Sequence, residues 1–508
     1  MKSLKKSLSV ILSVLFVFLC FSPAFAVENT DEFIISDPYA NVDFDSFKIY
    51  KTALHTHTNA SDGDPTLFES VERHMLCNFD IVATTDHGTV NKSWETPNAN
   101  GLVHGVLSLV GKSEGDLVYL GKSGAFSDGS TYTLDTVNGD DYVTVSNGKK
   151  VMRVPYGIEN NALSANAHVN SWFADYSNNT LTTYKDAVSG VDKAGGISII
   201  NHPGEYSKAR YELRSADAYD TNVFTYRYLL NKWANLLDKY DSCLGVDMNS
   251  KGDARTRFDR IIWDELLTRF SANGENVYGF CSSDAHQLDK INTGYVYALM
   301  PDYTSKALKD SLINGEFFAG SHCIGNPQEL ALIRDALISL YGETDFYSEI
   351  KTVVENMDAR VAEIENGTRD ADDDIGITWT CLDDDGMYDG PEVTITSINV
   401  DDEADTITVS SENALIIRWI SEGKQFAVTK ADGEAFDLND YKDVIGNYVR
   451  AEVIGEGGVV YTQAFLINAE KNKGTSRVVD ATYFDFGILD CLLAIFHNWA
   501  DILGRIFK

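Results

Sequence analysis

From Lys48 onward, short apolar runs alternate with stretches of helical periodicity. "KIYKTALHTH" (48–57) reads as a strand that ends in polar residues. "PTLFESVERHMLCN" (65–78) has helical spacing, and "FDIVATTDH" (79–87) is a second strand ending in polar residues. The same pair recurs as the helix "LTTYKDAVSGVDKAGG" (181–196) and the strand "ISIINHP" (197–203). It recurs again as "TRFDRIIWDELLTRFSANG" (256–274), with a Gly-containing stop, and "VYGFCSSDAH" (277–286). Strands alternating with helices predict an α/β architecture with a parallel sheet. Chemistry-capable residues fall repeatedly at the C-terminal ends of these strands, where parallel α/β barrels place their sites.

Other segments break this rhythm. Residues 98–153 are rich in Gly, Ser, Asp, Thr and Val and hold short β runs such as "DLVYLG" and "DYVTVS". They predict a β-rich insertion over the mouth of the site. Residues 27–47 are polar and acidic and are expected to form an unstructured leader. Residues 326–385 predict a helical segment running into the acidic linker "RDADDDIG" (369–376). Within 386–469, six short strands separated by turn residues predict an antiparallel β-sandwich, with Trp419 in its core. Residues 480–508 carry an amphipathic tail helix. Ile488, Leu492, Ile495, Trp499, Ile502 and Ile506 lie on one face, opposite Asp490, His497, Asp501 and Lys508. Such a helix docks on the β domain or a partner, or lies on a membrane or cell-envelope surface.

Residues 1–26 have the form of a secretory signal peptide. Lys2, Lys5 and Lys6 precede an apolar stretch (7–21), and Ala24-Phe25-Ala26 is an A-x-A cleavage site. The expected location is therefore secreted or cell-envelope. The 508-residue chain carries 76 acidic against 42 basic residues, a formal charge of −34, and losing the leader removes three Lys and no acid. Such a surface repels phosphate backbones, which excludes non-specific coating of nucleic acid. A local cationic site can still take a phosphoester. Cys77, Cys243, Cys281, Cys323, Cys381 and Cys491 are sparse and form no CxxC pair, so they read as buried small hydrophobes.

Six of the ten His fall at the predicted strand ends. His55 and His57 sit at i and i+2, on one side of a strand, where two imidazoles can grip one ion. Asp62 follows in "SDG". Asp86 and His87 close "TTDH", Glu159 lies in "GIE", His168 in "NAH", and His202 in "NHPG". Asp284 and His286 lie in "SSDAH". Packing alone does not explain this grouping, because buried polar and charged groups are costly unless paired or metal-bound. The remaining His74, His104, His322 and His497 read as structural.

These motifs, in this order, resemble the PHP (polymerase and histidinol phosphatase) family in its secreted, metal-dependent phosphoesterase branch. The resemblance spans about residues 48–320. It implies a distorted (β/α)7 barrel, here with the β-rich insertion, within 48–325 and ahead of the all-β domain. It also implies a trinuclear site. The first ion would take His55, His57, Glu159 and Asp284. The second would share Glu159 and add His168 and His202. The third would take Asp62, His87 and His286. Asp86 would orient a ligand His from behind. A basic residue is common after "HPG" in this group, and Glu205 stands there instead. Lys208 and Arg210 are the nearby candidates to meet a phosphate, with Lys251 a further one.

Mixed N/O ligands suit Mn, Zn or Fe. Two divalent ions about 4 Å apart can hold a hydroxide that attacks phosphorus, while a third stabilises the leaving oxygen. The expected activity is hydrolysis of small-molecule or polymer phosphate mono- or diesters. A metallohydrolase of a non-phosphate ester or amide, favoured by Glu205, stays open. So does a surface binding module with a structural metal centre.

Overall fold

The computed structural model describes residues 33–487 and 489, apart from 114, 161–167, 179–182, 207–223, 250–254, 326 and 367–378. The leader peptide, the acidic linker 369–376, Lys208, Arg210, Lys251 and nearly all of the tail helix therefore lie outside the described residues.

The chain opens with β1 (Ile35–Ser36), β2 (Lys48–Ala53), α1 (Leu67–Leu76) and β3 (Ile81–Val82). Next come α2 (Gly101–Leu109) and four strands, β4 (Ser123–Ala125), β5 (Thr131–Val137), β6 (Asp140–Val145) and β7 (Lys150–Arg153). They are followed by β8 (Ile158–Asn160), β9 (Val169–Trp172), α3 (Tyr184–Lys193), β10 (Ile197–Ile200), α4 (Pro203–Tyr206) and α5 (Phe224–Lys239). Then come β11 (Cys243–Asn249), α6 (Arg255–Ser271), β12 (Tyr278–Cys281), β13 (Gly294–Met300), α7 (Ser305–Asn314), β14 (Phe317–Ser321) and β15 (Cys323–Gly325). The helices α8 (Pro327–Tyr341) and α9 (Tyr347–Glu365) precede β16 (Trp379–Thr380). The last strands are β17 (Thr394–Asp401), β18 (Thr406–Glu412), β19 (Ile416–Ser421), β20 (Lys424–Lys430), β21 (Ala435–Asp437), β22 (Tyr448–Gly455), β23 (Gly458–Tyr461) and β24 (Phe465–Ile467).

Local sequence explains where the elements start. Thr66 Oγ1 accepts from Glu69 N at 3.2 Å, and the Glu69 carboxylate accepts from Thr66 N at 2.8 Å. This capping box launches α1, whose Leu67, Val71 and Met75 are buried at helical spacing. Thr183 and Asp186 do the same for α3.

The result is a mixed α/β fold rather than a purely parallel one. β2 pairs parallel with β3, and β3 with β7. A second sheet runs β12-β11-β10-β9-β8, and in it β10, β11 and β12 are parallel. Helices lie in the connections of the parallel pairs β2/β3, β3/β7, β10/β11 and β11/β12, and also between the antiparallel neighbours β9/β10 and β13/β14. β8 and β9 are antiparallel; the segment between them is shorter than the dozen or so residues a crossover needs. Two isolated parallel bridges, Thr56 to Ala285 and His87 to Glu159, join the two sheets.

The segment expected as an insertion extends the first sheet, β7-β6-β5-β4. Ser113 Oγ donates to Asn59 O at 2.6 Å, and Asn59 Nδ2 donates to Asp116 O at 3.1 Å. The segment thus lies against the loop that carries Asp62.

In the C-terminal part, β17, β18 and β21 form a three-stranded sheet packed on β19, β20 and β22. Trp419 is buried and stacks on Phe436 at 4.2 Å between centroids. β23 also pairs with β14, so one sheet continues from the α/β part into the all-β part. Buried charges tie the two as well. Arg450 donates to Asp264 of α6 at 2.8 and 2.7 Å and to Glu452 at 2.7 Å.

The leader expectation fails for the described residues. Ile35–Ser36 pairs with β24, and Phe33, Ile35 and Tyr39 are buried. Tyr39 Oη accepts from Gln463 N at 2.7 Å. This short acidic text is held by three apolar anchors, which composition averaging obscures. Among the described residues no helix is long and apolar enough to cross a membrane. Of the five described cysteines, Cys77, Cys243, Cys281 and Cys323 are buried.

Candidate metal centre

The cluster forms where strands end. His55 and His57 follow β2, Asp86 and His87 follow β3, and Glu159 lies on β8. His168 precedes β9, His202 follows β10, and Asp284 and His286 follow β12. The two bridges that join the sheets involve Thr56, Ala285, His87 and Glu159, so pairing itself draws these ends together.

Glu159 stands at the middle and is buried. Its Oε2 lies 3.0 Å from His87 Nδ1, 3.3 Å from His57 Nε2 and 3.5 Å from His55 Nε2. Its Oε1 lies 2.6 Å from His168 Nδ1, 2.9 Å from Asn201 Nδ2 and 3.5 Å from His202 Nε2. Asp284 Oδ1 lies 3.1 Å from His57 Nε2 and 3.2 Å from His55 Nε2, and its Oδ2 is 3.6 Å from His202 Nε2. Asp62 serves the outer side. It reaches His57 Nδ1 at 3.4 Å, His87 Nε2 at 3.5 Å and His286 Nε2 at 3.3 Å.

Three groups of side chains have ligand atoms close enough to share an ion: His55, His57, Glu159 and Asp284; His57, Asp62, His87 and His286; and His87, Glu159 and His168. All nine expected ligand residues thus converge, with His202 joining through Glu159 and Asp284. His57 and His87 each touch two groups, which the sequence does not reveal.

Backbone geometry supports a built site. His202 and Asp284 have φ of 26° and 45°. Such conformations cost non-glycine residues about 1–3 kcal/mol and persist only where the surroundings enforce them. Gly63 in "SDG" is required by close approach, because a Cβ there would meet His57 C and O at 2.6 Å.

Electrostatics follow from the crowding. Burial alone would depress His55, but Asp284 and Glu159 outweigh it and raise its pKa to about 10. His57 and His87 are likewise raised, against burial, by Asp284 and Glu159 and by Glu159 and Asp62 respectively. Burial opposes ionisation of Glu159, yet His168, His87 and His55 hold its carboxyl well below the usual range. For His168, burial wins over Glu159 and lowers the pKa to about 4.

The donor set fits divalent metal. Imidazole nitrogens and carboxylate oxygens crowd one another, and Glu159 Oε2 has three imidazole nitrogens nearby but satisfies no hydrogen bond. A cation among them is the natural complement.

Asp86 sits one layer out and does not touch an imidazole directly. Its Oδ1 accepts from Thr58 N at 2.7 Å and Ser61 Oγ at 2.8 Å, and its Oδ2 accepts from Thr58 Oγ1 at 2.8 Å. Ser61 Oγ in turn lies 3.3 Å from His57 Nδ1. Asp86 therefore braces His57 through Ser61. Glu205 faces His202 Nδ1 at 3.5 Å. Sequence reading missed Asn201, which donates to Glu159, and Asp247, whose carboxylate lies 3.8 Å from His55 Nδ1. The alternation of polar Asp247 and Asn249 within the apolar run "LGVDMN" was the available signal. Of the structural histidines, His74 Nδ1 donates to Ser70 O at 2.7 Å, and burial lowers its pKa to about 4. His322 lies between Gly457 O at 2.8 Å and Glu392 at 3.5 Å.

The class that fold and site define is a mixed α/β protein with a buried His/Asp/Glu cluster able to bind divalent metal. Neither the protein-family models nor the curated proteins compared with the chain give a match. Among solved structures, the chain is similar to a two-domain protein from Bacteroides vulgatus containing a predicted PHP-like metal-dependent phosphoesterase. Identity is 13%, covering 84% of this chain and 96% of that one, with a TM-score of 0.34. It is also similar to a lesion-specific endonuclease from Pyrococcus furiosus, at 14% identity over 52% of this chain and 56% of that one, with a TM-score of 0.28. Likeness at this level carries no argument about chemistry, which rests on the site.

Proposed function

We propose that this chain is a secreted metal-dependent phosphoesterase of the PHP kind, hydrolysing phosphate mono- or diesters at a centre of three divalent ions. One observation carries the reading: eight His and Asp side chains from scattered strand ends gather around the buried carboxylate of Glu159. The two sheets, β2-β3-β7 and β12-β11-β10-β9-β8, joined by the isolated bridges Thr56–Ala285 and His87–Glu159, are the support for the distorted seven-stranded barrel of this reading.

The three ligand sets are those the resemblance implies: His55, His57, Glu159 and Asp284; Glu159, His168 and His202; Asp62, His87 and His286. Divalent ions held there would polarise a phosphoryl oxygen and lower the pKa of a water. The protein's own part is to present imidazole nitrogens and carboxylates from rigid strand ends. Glu159 spans the centre, and Asp86 braces His57 through Ser61. Lys208 and Arg210 remain the proposed phosphate contacts. Export through residues 1–26 and surface contact through the tail helix belong to the same proposal. Sequencing the N-terminus of the exported chain is expected to start at Val27.

A second reading, hydrolysis of a non-phosphate ester or amide, is favoured by Glu205. It faces His202 where the resemblance leads one to expect a cation. The deciding experiment measures hydrolysis of a phosphodiester and a phosphomonoester by the mature chain with added Mn²⁺ or Zn²⁺, with Asp284→Asn as blank. Metal-dependent turnover absent from the blank is expected. A fully metal-loaded chain that turns over neither ester, but does cleave a carboxylic ester or amide, establishes the second reading instead.

A further inference from the structure

β11 brings polar side chains to the cluster that the ligand pattern leaves unused. Val246 and Met248 pack in the core with residues of α5 and α6. Alternation puts Asp247 and Asn249 on the opposite side, toward the site. The register against β12 shifts between Asp247 and Asn249, an irregularity of the kind that re-aims side chains beside functional sites.

Asp247 is completely buried. Its Oδ2 accepts a hydrogen bond from Ser282 Oγ and faces His55 Nδ1 at 3.8 Å, while its Oδ1 satisfies no hydrogen bond. A buried carboxylate with one neutral donor is costly unless a cation stands beside it. Its ion-pair partner among the described residues is His55. The Nε2 of that ring faces Asp284 at 3.2 Å and Glu159 at 3.5 Å, while its buried Nδ1 makes no hydrogen bond and has the Asp247 carboxylate in front of it.

We propose that Asp247, anchored by Ser282, is a positioning residue that keeps the proton of His55 on Nδ1. The Nε2 lone pair is then committed to the ion shared with His57, Glu159 and Asp284. An outer carboxylate on a ligating imidazole fixes its tautomer and orientation and raises its basicity. This inference rests on the metal reading above.

The test titrates the metal-free full chain with Co²⁺ against a competing chelator and records the visible spectrum of the bound ion. Asp247→Asn keeps the size and removes the charge. It is expected to weaken one bound ion by about 10–100-fold, with a shifted Co²⁺ band, and to leave the others unchanged. Ser282→Ala keeps the charge but frees the carboxylate. It is expected to weaken the same ion by less, and it serves if Asp247→Asn does not fold. Wild-type affinity and spectrum in a folded variant overturn the inference, as does equal weakening of every ion. A wild-type chain that binds no Co²⁺ overturns the metal reading itself, and this inference with it.

Discussion

Replacing Glu159 by Gln removes one negative charge while nearly preserving shape. Five imidazoles place a nitrogen within 3.5 Å of one or other carboxylate oxygen. A cation held among those nitrogens experiences a full carboxylate charge at close range. At about 4 Å and an effective dielectric near 20, one such unit interaction is worth about 4 kcal/mol. With tenfold per 1.4 kcal/mol, the expected loss is about a thousandfold in affinity for at least one ion. The amide adds a second penalty, because its NH₂ group points donors where lone pairs are needed. The assay titrates the metal-free protein with Zn²⁺ or Mn²⁺ in a chelator buffer and counts ions retained after dialysis. Phosphoester hydrolysis is expected to fall in parallel. A Glu159→Gln chain that folds and binds every ion within tenfold of wild type would refute the idea that this carboxylate organises the centre.

Two further predictions concern the fold that holds the site. Arg450→Met leaves Asp264 and Glu452 buried without their shared guanidinium and is expected to cost about 3–5 kcal/mol in urea denaturation. A loss below about 1 kcal/mol would show that the junction between α6 and β22 does not depend on this ion cluster. The acid limb of stability is expected to depend on Glu392. Burial would raise its pKa, but His322 and Lys51 outweigh that and hold it at about 2, against an ordinary 4.5. Its contribution is then fully present above about pH 4.5 and disappears as pH falls toward 2, by up to about 3 kcal/mol. His322, whose pKa burial lowers, acts in the same direction, since protonation below 6.5 favours the unfolded chain. Urea midpoints across this range should flatten in Glu392→Gln; an unchanged acid slope would exclude the Lys51–Glu392–His322 cluster as its source.

Much of the site is legible in the chain because its signals are local. An apolar run that switches to His or Asp marks a strand end, and i, i+2 spacing puts His55 and His57 on one side of it. A capping Thr followed three residues later by an acid marks the starts of α1 and α3. Asp86 illustrates a partial success: its place beside the cluster is legible, but its action through Ser61 depends on where the loop after β2 folds back. Asp247 was missed for a related reason. Polar alternation in β11 signals an inward face, but only pairing with β10 and β12 makes that face the floor beneath His55.

The chemistry on offer is written in the order of residues: which strand ends carry nitrogen and carboxylate ligands, and which helices separate them. How those ends meet is a property of the folded chain. Long-range pairing closed the bridges through Thr56 and His87, made β9 antiparallel, carried the main sheet from β14 into β23, and recruited Ile35–Ser36 to β24. Register between distant strands depends on which buried faces fit together and on backbone groups that any residue supplies, so no local pattern records it.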